Sequence, residues 1–307
     1  MGLSFILAPI AAFLWACTNF VDKYLISRIV KNSDFRGLTI MSSLVAGLIF
    51  IPISLVLAGG NVSVDGFLAL GLIFLSALCF IASIPFYFMA LAKNDTSLVI
   101  AMYNLSPVFT YFFGLIFLGE HLTTTQIIGC AIVILATTAL SFEFDSRRFS
   151  RQKLNALLLM IVAVIGSAAF FLLFRLTTIN NEFYTMTFWY QISLVAIGLL
   201  IFLLARKWRK SFIDLIKNNG KKAIGLNIAN EAINIMAQFL VHFAMIFAPI
   251  ALVDTISGTQ PIFAFLIGLV LVTIMPKVFK EDTRKHILIQ KIVCILISIL
   301  GLAILYL

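Results

Sequence analysis

Ten apolar runs follow one another along this chain of 307 residues, each close to the roughly 20 residues that a helix needs to cross a hydrocarbon core. They lie at about 3–24, 37–58, 66–91, 97–118, 123–141, 154–175, 184–205, 223–247, 249–274 and 287–306. Hydrocarbon offers no water to satisfy backbone N–H and C=O groups, so runs of this kind fold as helices. The expected fold is an all-α polytopic membrane protein with ten transmembrane helices. Charged residues make up 11% of the chain, against about 25% in soluble domains. The apolar excess runs from Gly2 to Leu307, which excludes a soluble enzyme with a single anchor. The first run follows Met1 without a basic n-region and is longer than a signal-peptide core, so it is expected to be a retained span.

The net charge of +9 is distributed in a way that points away from nucleic acid. Lys and Arg in and beside the loops after runs 1, 3, 5, 7 and 9 number 4, 1, 4, 7 and 5. The termini and the other loops hold a single basic residue, Arg175, so 21 of the 22 fall on one side. Basic residues near span ends are retained in the cytoplasm. This predicts a cell-membrane protein with the odd loops cytoplasmic and both termini outside. The segment "SFIDLI" in the basic loop 206–222 reads equally as a short interfacial helix or as solvated loop. Cys17, Cys79, Cys130 and Cys294 all lie inside apolar runs, where they suggest packing and neither a disulfide framework nor a metal site.

The two halves echo each other. With Pro107 set on Pro261, an offset of 154, "SLVIAMYNLSPVFTYFFGLIFL" lies on "ALVDTISGTQPIFAFLIGLVLV". Glu120 meets Glu281 only across an insertion at 273–283. The expected domains are 1–145 and 146–307, each of five helices. An odd number of spans places the halves in opposite orientations, the inverted-repeat plan of secondary transporters.

The segments "LWACTNFVDKYL" and "NLSPVFTYFFGLIFLGEHLTTTQIIGCAIVIL" in the first half, with "TQPIFAFLIGLVL" and "ILISILGLAIL" in the second, carry a family likeness. The chain resembles ten-span members of the drug/metabolite transporter superfamily, in the EamA-like group. That resemblance implies movement of a small solute, such as a metabolite, an amino acid or a quaternary amine. Two features depart from the family pattern. His121 follows Glu120 where a basic residue is common, and family members are usually drawn with cytoplasmic termini.

Polar residues inside the runs mark candidate sites, because burying them in lipid costs on the order of a few kcal/mol each. Asn227, Asn230, Glu231, Asn234, Gln238 and His242 fall within an arc of roughly 120° on run 8. This face is expected to line a cavity, with interhelical hydrogen bonding as the plainer reading. Asp254 is a second acid within the spans, at a depth similar to His242, and the two read either as a structural Asp–His pair or as groups with a coupling role. Pro107 and Pro261 are candidate helix breaks that free backbone carbonyls. Trp15, Tyr103 and Trp189 are candidate aromatic walls for an organic cation, and Asn19 shares the face of Trp15.

Walker, HExxH and GxSxG patterns are absent from the sequence, which argues against an ATPase, a metalloprotease and a serine hydrolase. No cofactor is expected. The function expected is secondary transport of a small polar or amphipathic metabolite, such as an amino acid or organic cation, by alternating access. Coupling to protons or another ion and purely facilitative movement both stay open. So does the alternative of a flippase for a lipid or lipid-linked carrier. The expected partners are the bilayer, the substrate and protons, with no nucleic acid, as a monomer or a dimer.

Overall fold

The computed structural model describes residues 2–26, 34–64, 66–94, 96–141, 151–218, 220–274 and 285–306, and these are helical with short connections. The helices are α1 (Ser4–Tyr24), α2 (Phe35–Leu57), α3 (Phe67–Lys93), α4 (Thr96–Tyr103), α5 (Ser106–Phe113), α6 (Thr124–Ser141), α7 (Arg151–Thr177), α8 (Phe183–Leu204), α9 (Arg206–Asn218), α10 (Gly220–Ala244), α11 (Ile250–Ser257), α12 (Gln260–Ile274) and α13 (Lys285–Tyr306). A π-helical turn, Gly114–Leu118, extends α5. Among the described residues, nine helical segments are long and apolar enough to cross a membrane, with α4 and α5 forming one and α11 and α12 another. The helix at Thr124–Leu140 is apolar but shorter. Together they make a polytopic bundle of about ten membrane helices.

The outer surface is apolar, as a lipid-facing surface requires: Phe67 is 92% exposed and Leu204 81%. Hydrophobic burial does not drive helix association in lipid, so close backbone approach has to. Glycines provide it. A Cβ on Gly47 of α2 would sit 2.5 Å from a methyl of Val195 and 2.8 Å from the Gln191 carbonyl of α8. On Gly301 of α13 it would sit 2.8 Å from a methyl of Val133 on α6. The main packed pairs are α1 with α10, α3 with α7, α2 with α8 and α6 with α13. Side chains join some of them: Ser4 donates to the Ala244 carbonyl at 2.9 Å, and Ser76 to the Phe170 carbonyl at 3.0 Å.

The segment holding "SFIDLI" is helical. Helix α9 lays Trp208, Phe212 and the buried Leu215 inward, while Arg206, Lys207, Lys210 and Lys217 are exposed. It is fastened to α2, where the Gly37 N–H donates to Ser211 Oγ at 2.9 Å and Phe35 meets Trp208 edge-on.

Two spans are broken in the middle. Helix α4 stops at Tyr103 and α5 begins at Ser106; α11 stops at Ser257 and α12 begins at Gln260. Pro107 and Pro261 follow the breaks. Neither can donate an N–H, so the carbonyls of Tyr103 and Ser257 lose their helical partners. The two breaks are 154 residues apart, and so are the starts of α4 and α11.

Candidate functional site

A cavity of about 110 Å³, with largely apolar walls and a cluster of polar side chains, lies inside the bundle. Residues of α1, α3, α4, α7, α10 and α12 line it, with Ser42 added from α2. Helical spacing on α1 sets Trp15, Asn19 and Asp22 at i, i+4 and i+7, on one face that turns towards the cavity. On α10, Glu231, Asn234 and Gln238 do the same at i, i+3 and i+7.

The two faces meet in a hydrogen-bond network. Asn230 Nδ2 donates to Asp22 Oδ1 at 2.7 Å. The Tyr87 hydroxyl of α3 lies 3.1 Å from Asp22 Oδ2 and 2.9 Å from Asn19 Oδ1. Glu231 accepts from the Ser42 hydroxyl and from Asn234 Nδ2, the latter at 3.3 Å. Trp15 Nε1 donates in turn to Asn234 Oδ1 at 3.0 Å. Glu231 is 3% exposed, whereas Asp22 is half-buried and open to the cavity. Two carboxyls therefore share one chamber, and no Lys, Arg or His is among the described residues that line it.

The remaining candidates divide. Tyr103 lines the cavity and donates to Ser167 Oγ at 2.7 Å, and Gln238 accepts from Tyr190 at 3.3 Å. Trp189 is not on the lining; its Nε1 donates to the Val62 carbonyl at 2.8 Å, in the segment after α2. His242 and Asp254 do not form the structural pair that was one of their two readings. His242 stacks on Phe174 with ring centroids 3.9 Å apart and sits against Phe170, Phe171 and Tyr190. Its Nε2 is buried and has no hydrogen-bond partner. Asp254 instead faces the break in the other half, where its Oδ2 accepts from Ser106 at 2.7 Å and Thr110 at 3.0 Å. Similar depth did not put the two side chains on facing sides of their helices.

Asp22 was missed by the sequence reading because it stands beside Lys23, where a charge reads as the edge of a span. Its spacing from Trp15 and Asn19 was the available signal. Lys23 itself turns away to the end of α3, donating to the carbonyls of Leu91 at 2.7 Å and Asn94 at 2.6 Å.

A second link joins the bundle near the turn after α5. Glu120 Oε2 accepts the Ile250 N–H at 2.8 Å, capping the start of α11 from another part of the chain. Burial pushes the Glu120 carboxyl up from its ordinary value, while the Ile250 N–H and the charge of Arg175 act in the opposite direction. Glu281, its counterpart in the repeat alignment, lies outside the described residues.

Residues 2–142 match the EamA-like transporter family. That match falls in the first half of the chain. A curated relative, the "Probable amino-acid metabolite efflux pump" of Salmonella typhimurium (strain LT2), is 28% identical over 153 residues, which cover 48% of this chain. The match spans about half that relative's length, 51%. A solved crystal structure superimposes with a TM-score of 0.58 at 14% identity, over 97% of this chain and 98% of its own. That likeness concerns the fold.

Proposed function

We propose that the chain is a secondary transporter that moves a small polar or amphipathic metabolite across the cytoplasmic membrane by alternating access. The observation that carries this reading is the cavity in which carboxyls from α1 and α10 meet, one from each half of the chain. The EamA-like first half and the efflux pump to which the chain is similar support it.

In this reading residues 1–145 and 146–307 are two inverted five-helix units. The packing pairs support that division. Exchanging the halves turns the α1–α10 pair into α7–α3, and returns α2–α8 and α6–α13 to themselves. The broken spans at matching positions obey the same exchange. The halves would rock about the cavity, exposing it to each side in turn. Glu231 and Asp22 hold the substrate's polar group or a coupling proton. Asp254 fastens one broken span to the other. An acid buried in a membrane bundle costs enough to be functional by default, and Asp22 and Glu231 are the acids that line the cavity.

The test is uptake into proteoliposomes from a panel of labelled amines, amino acids and nucleosides. Wild-type protein should accumulate at least one of them, and Glu231→Gln should lose that uptake while eluting as a folded, monodisperse species. Full activity in Glu231→Gln would remove Glu231 from the mechanism. The uneven distribution of Lys and Arg supports an orientation with both termini outside. A cysteine at Ser63 should then react with a membrane-impermeant maleimide from outside intact cells; labelling only from the cytoplasmic side would reverse the orientation.

A further inference from the structure

Donors and acceptors around the cavity's carboxyl centre do not balance. The Tyr87 hydroxyl lies within reach of both Asn19 Oδ1 and Asp22 Oδ2. A phenol has one proton to give, so one of these acceptors goes without. Asn230 Oδ1 is buried and has no donor at all, in a side chain that is 3% exposed and whose Nδ2 touches Asp22. With Asp22 ionised, this orientation is the one that sets an amide N–H, and not the amide oxygen, against the carboxylate. The centre is short of N–H donors and short of positive charge, and no cationic side chain among the described lining residues supplies either. Buried acceptors of this kind cost about 1–3 kcal/mol each when left bare, so the imbalance points to a group that arrives from outside.

We propose that the ligand of this cavity is a small primary amine in its ammonium form, bound with its NH3+ group between Asp22 and Glu231, the two acids that line it. This deepens the transporter reading and rests on it. An ammonium carries three N–H donors and one positive charge, which meets both shortages together. Its apolar body lies against the rings of Trp15, Phe170 and Phe171, which line the same chamber. A quaternary ammonium brings the charge without the donors. An amino acid brings the donors with a carboxylate, which would face two acids and no cation. The inference thus separates three ligands that share one body and differ only in the head group.

The experiment is titration calorimetry on the purified full-length chain with phenethylamine, its N,N,N-trimethyl derivative and phenylalanine. Butylamine and 1,4-diaminobutane are added to vary the body. At least one primary amine should bind saturably, with the trimethyl compound and phenylalanine at least about tenfold weaker. Asp22→Asn should weaken amine binding by about ten- to a hundredfold, the loss expected for a charge-assisted hydrogen bond. Trp189→Phe, which alters a ring outside the cavity, should leave the affinity within about twofold. The head-group series on the wild-type chain needs no variant to fold. Equal or tighter binding of phenylalanine or the trimethyl compound overturns the proposal, as does the absence of binding by every primary amine. The uptake panel separates these failures from failure of the transporter reading. Uptake of an amino acid or nucleoside without amine binding would sink the amine and leave the transporter standing.

Discussion

The molecule has two intramembrane acidic centres, and their surroundings are opposite. Asp254 lies at the break between α4 and α5, where one of its oxygens collects hydroxyl donors from Ser106 and Thr110 in a closed environment 5% exposed. Asp22 and Glu231 stand together in a chamber whose described lining holds no cationic side chain, beside Asn230, whose amide oxygen has no donor. Both arrangements place acids where lipid surrounds the bundle, yet only the second lines a cavity. In the proposed reading the acid joined only to hydroxyls of the broken span is a fastener, and the acids that line the cavity hold the ligand. Two spans broken at matching positions need not carry matching chemistry.

The largest effect that would sharpen this contrast is on transport. Glu231→Gln is expected to lower uptake by about a hundredfold or more, while Asp254→Asn keeps the same hydroxyl contacts and retains most of it. Equal losses in the two would erase the distinction. A smaller effect is expected on stability. Asp254→Ala removes the acceptor of two charge-assisted hydrogen bonds, but Thr110 Oγ1 also lies 3.1 Å from the Pro107 carbonyl, which can take its proton. A loss of about 1–3 kcal/mol follows, read as a fall of several degrees in the unfolding temperature in detergent; no change would mean that Asp254 fastens nothing. The smallest effect concerns His242. Replacing it by Phe removes a buried nitrogen that has no partner and continues the ring stack of Phe170 and Phe174. His242→Phe should unfold at an equal or slightly higher temperature with uptake intact. Loss of uptake there would extend the functional face along all of α10.

Much of the fold was legible because bilayer physics is simple: apolar length gives spans, and basic loops alternate between them. The matching breaks before Pro107 and Pro261 were legible for a covalent reason, the missing proline N–H. The site was only partly legible. The polar face of α10 could be drawn on a helix, and Glu231, Asn234 and Gln238 do line the cavity. His242 shares that face but meets Phe170, Phe171 and Phe174, a wall contributed by α7 that periodicity within α10 cannot show. Asp22 was hidden by its neighbour Lys23, since a charge at a span end has a topological explanation ready. Trp189 falls inside the seventh run, where a cavity wall was expected, but the chain at Val62 folds against it.

The most direct measurement is an experimental structure of the chain bound to a solute it transports. The account predicts density for the solute's polar head between Asp22 and Glu231, with Trp15 against its body. Density at Asp254, or in a lateral groove away from both acids, would contradict it.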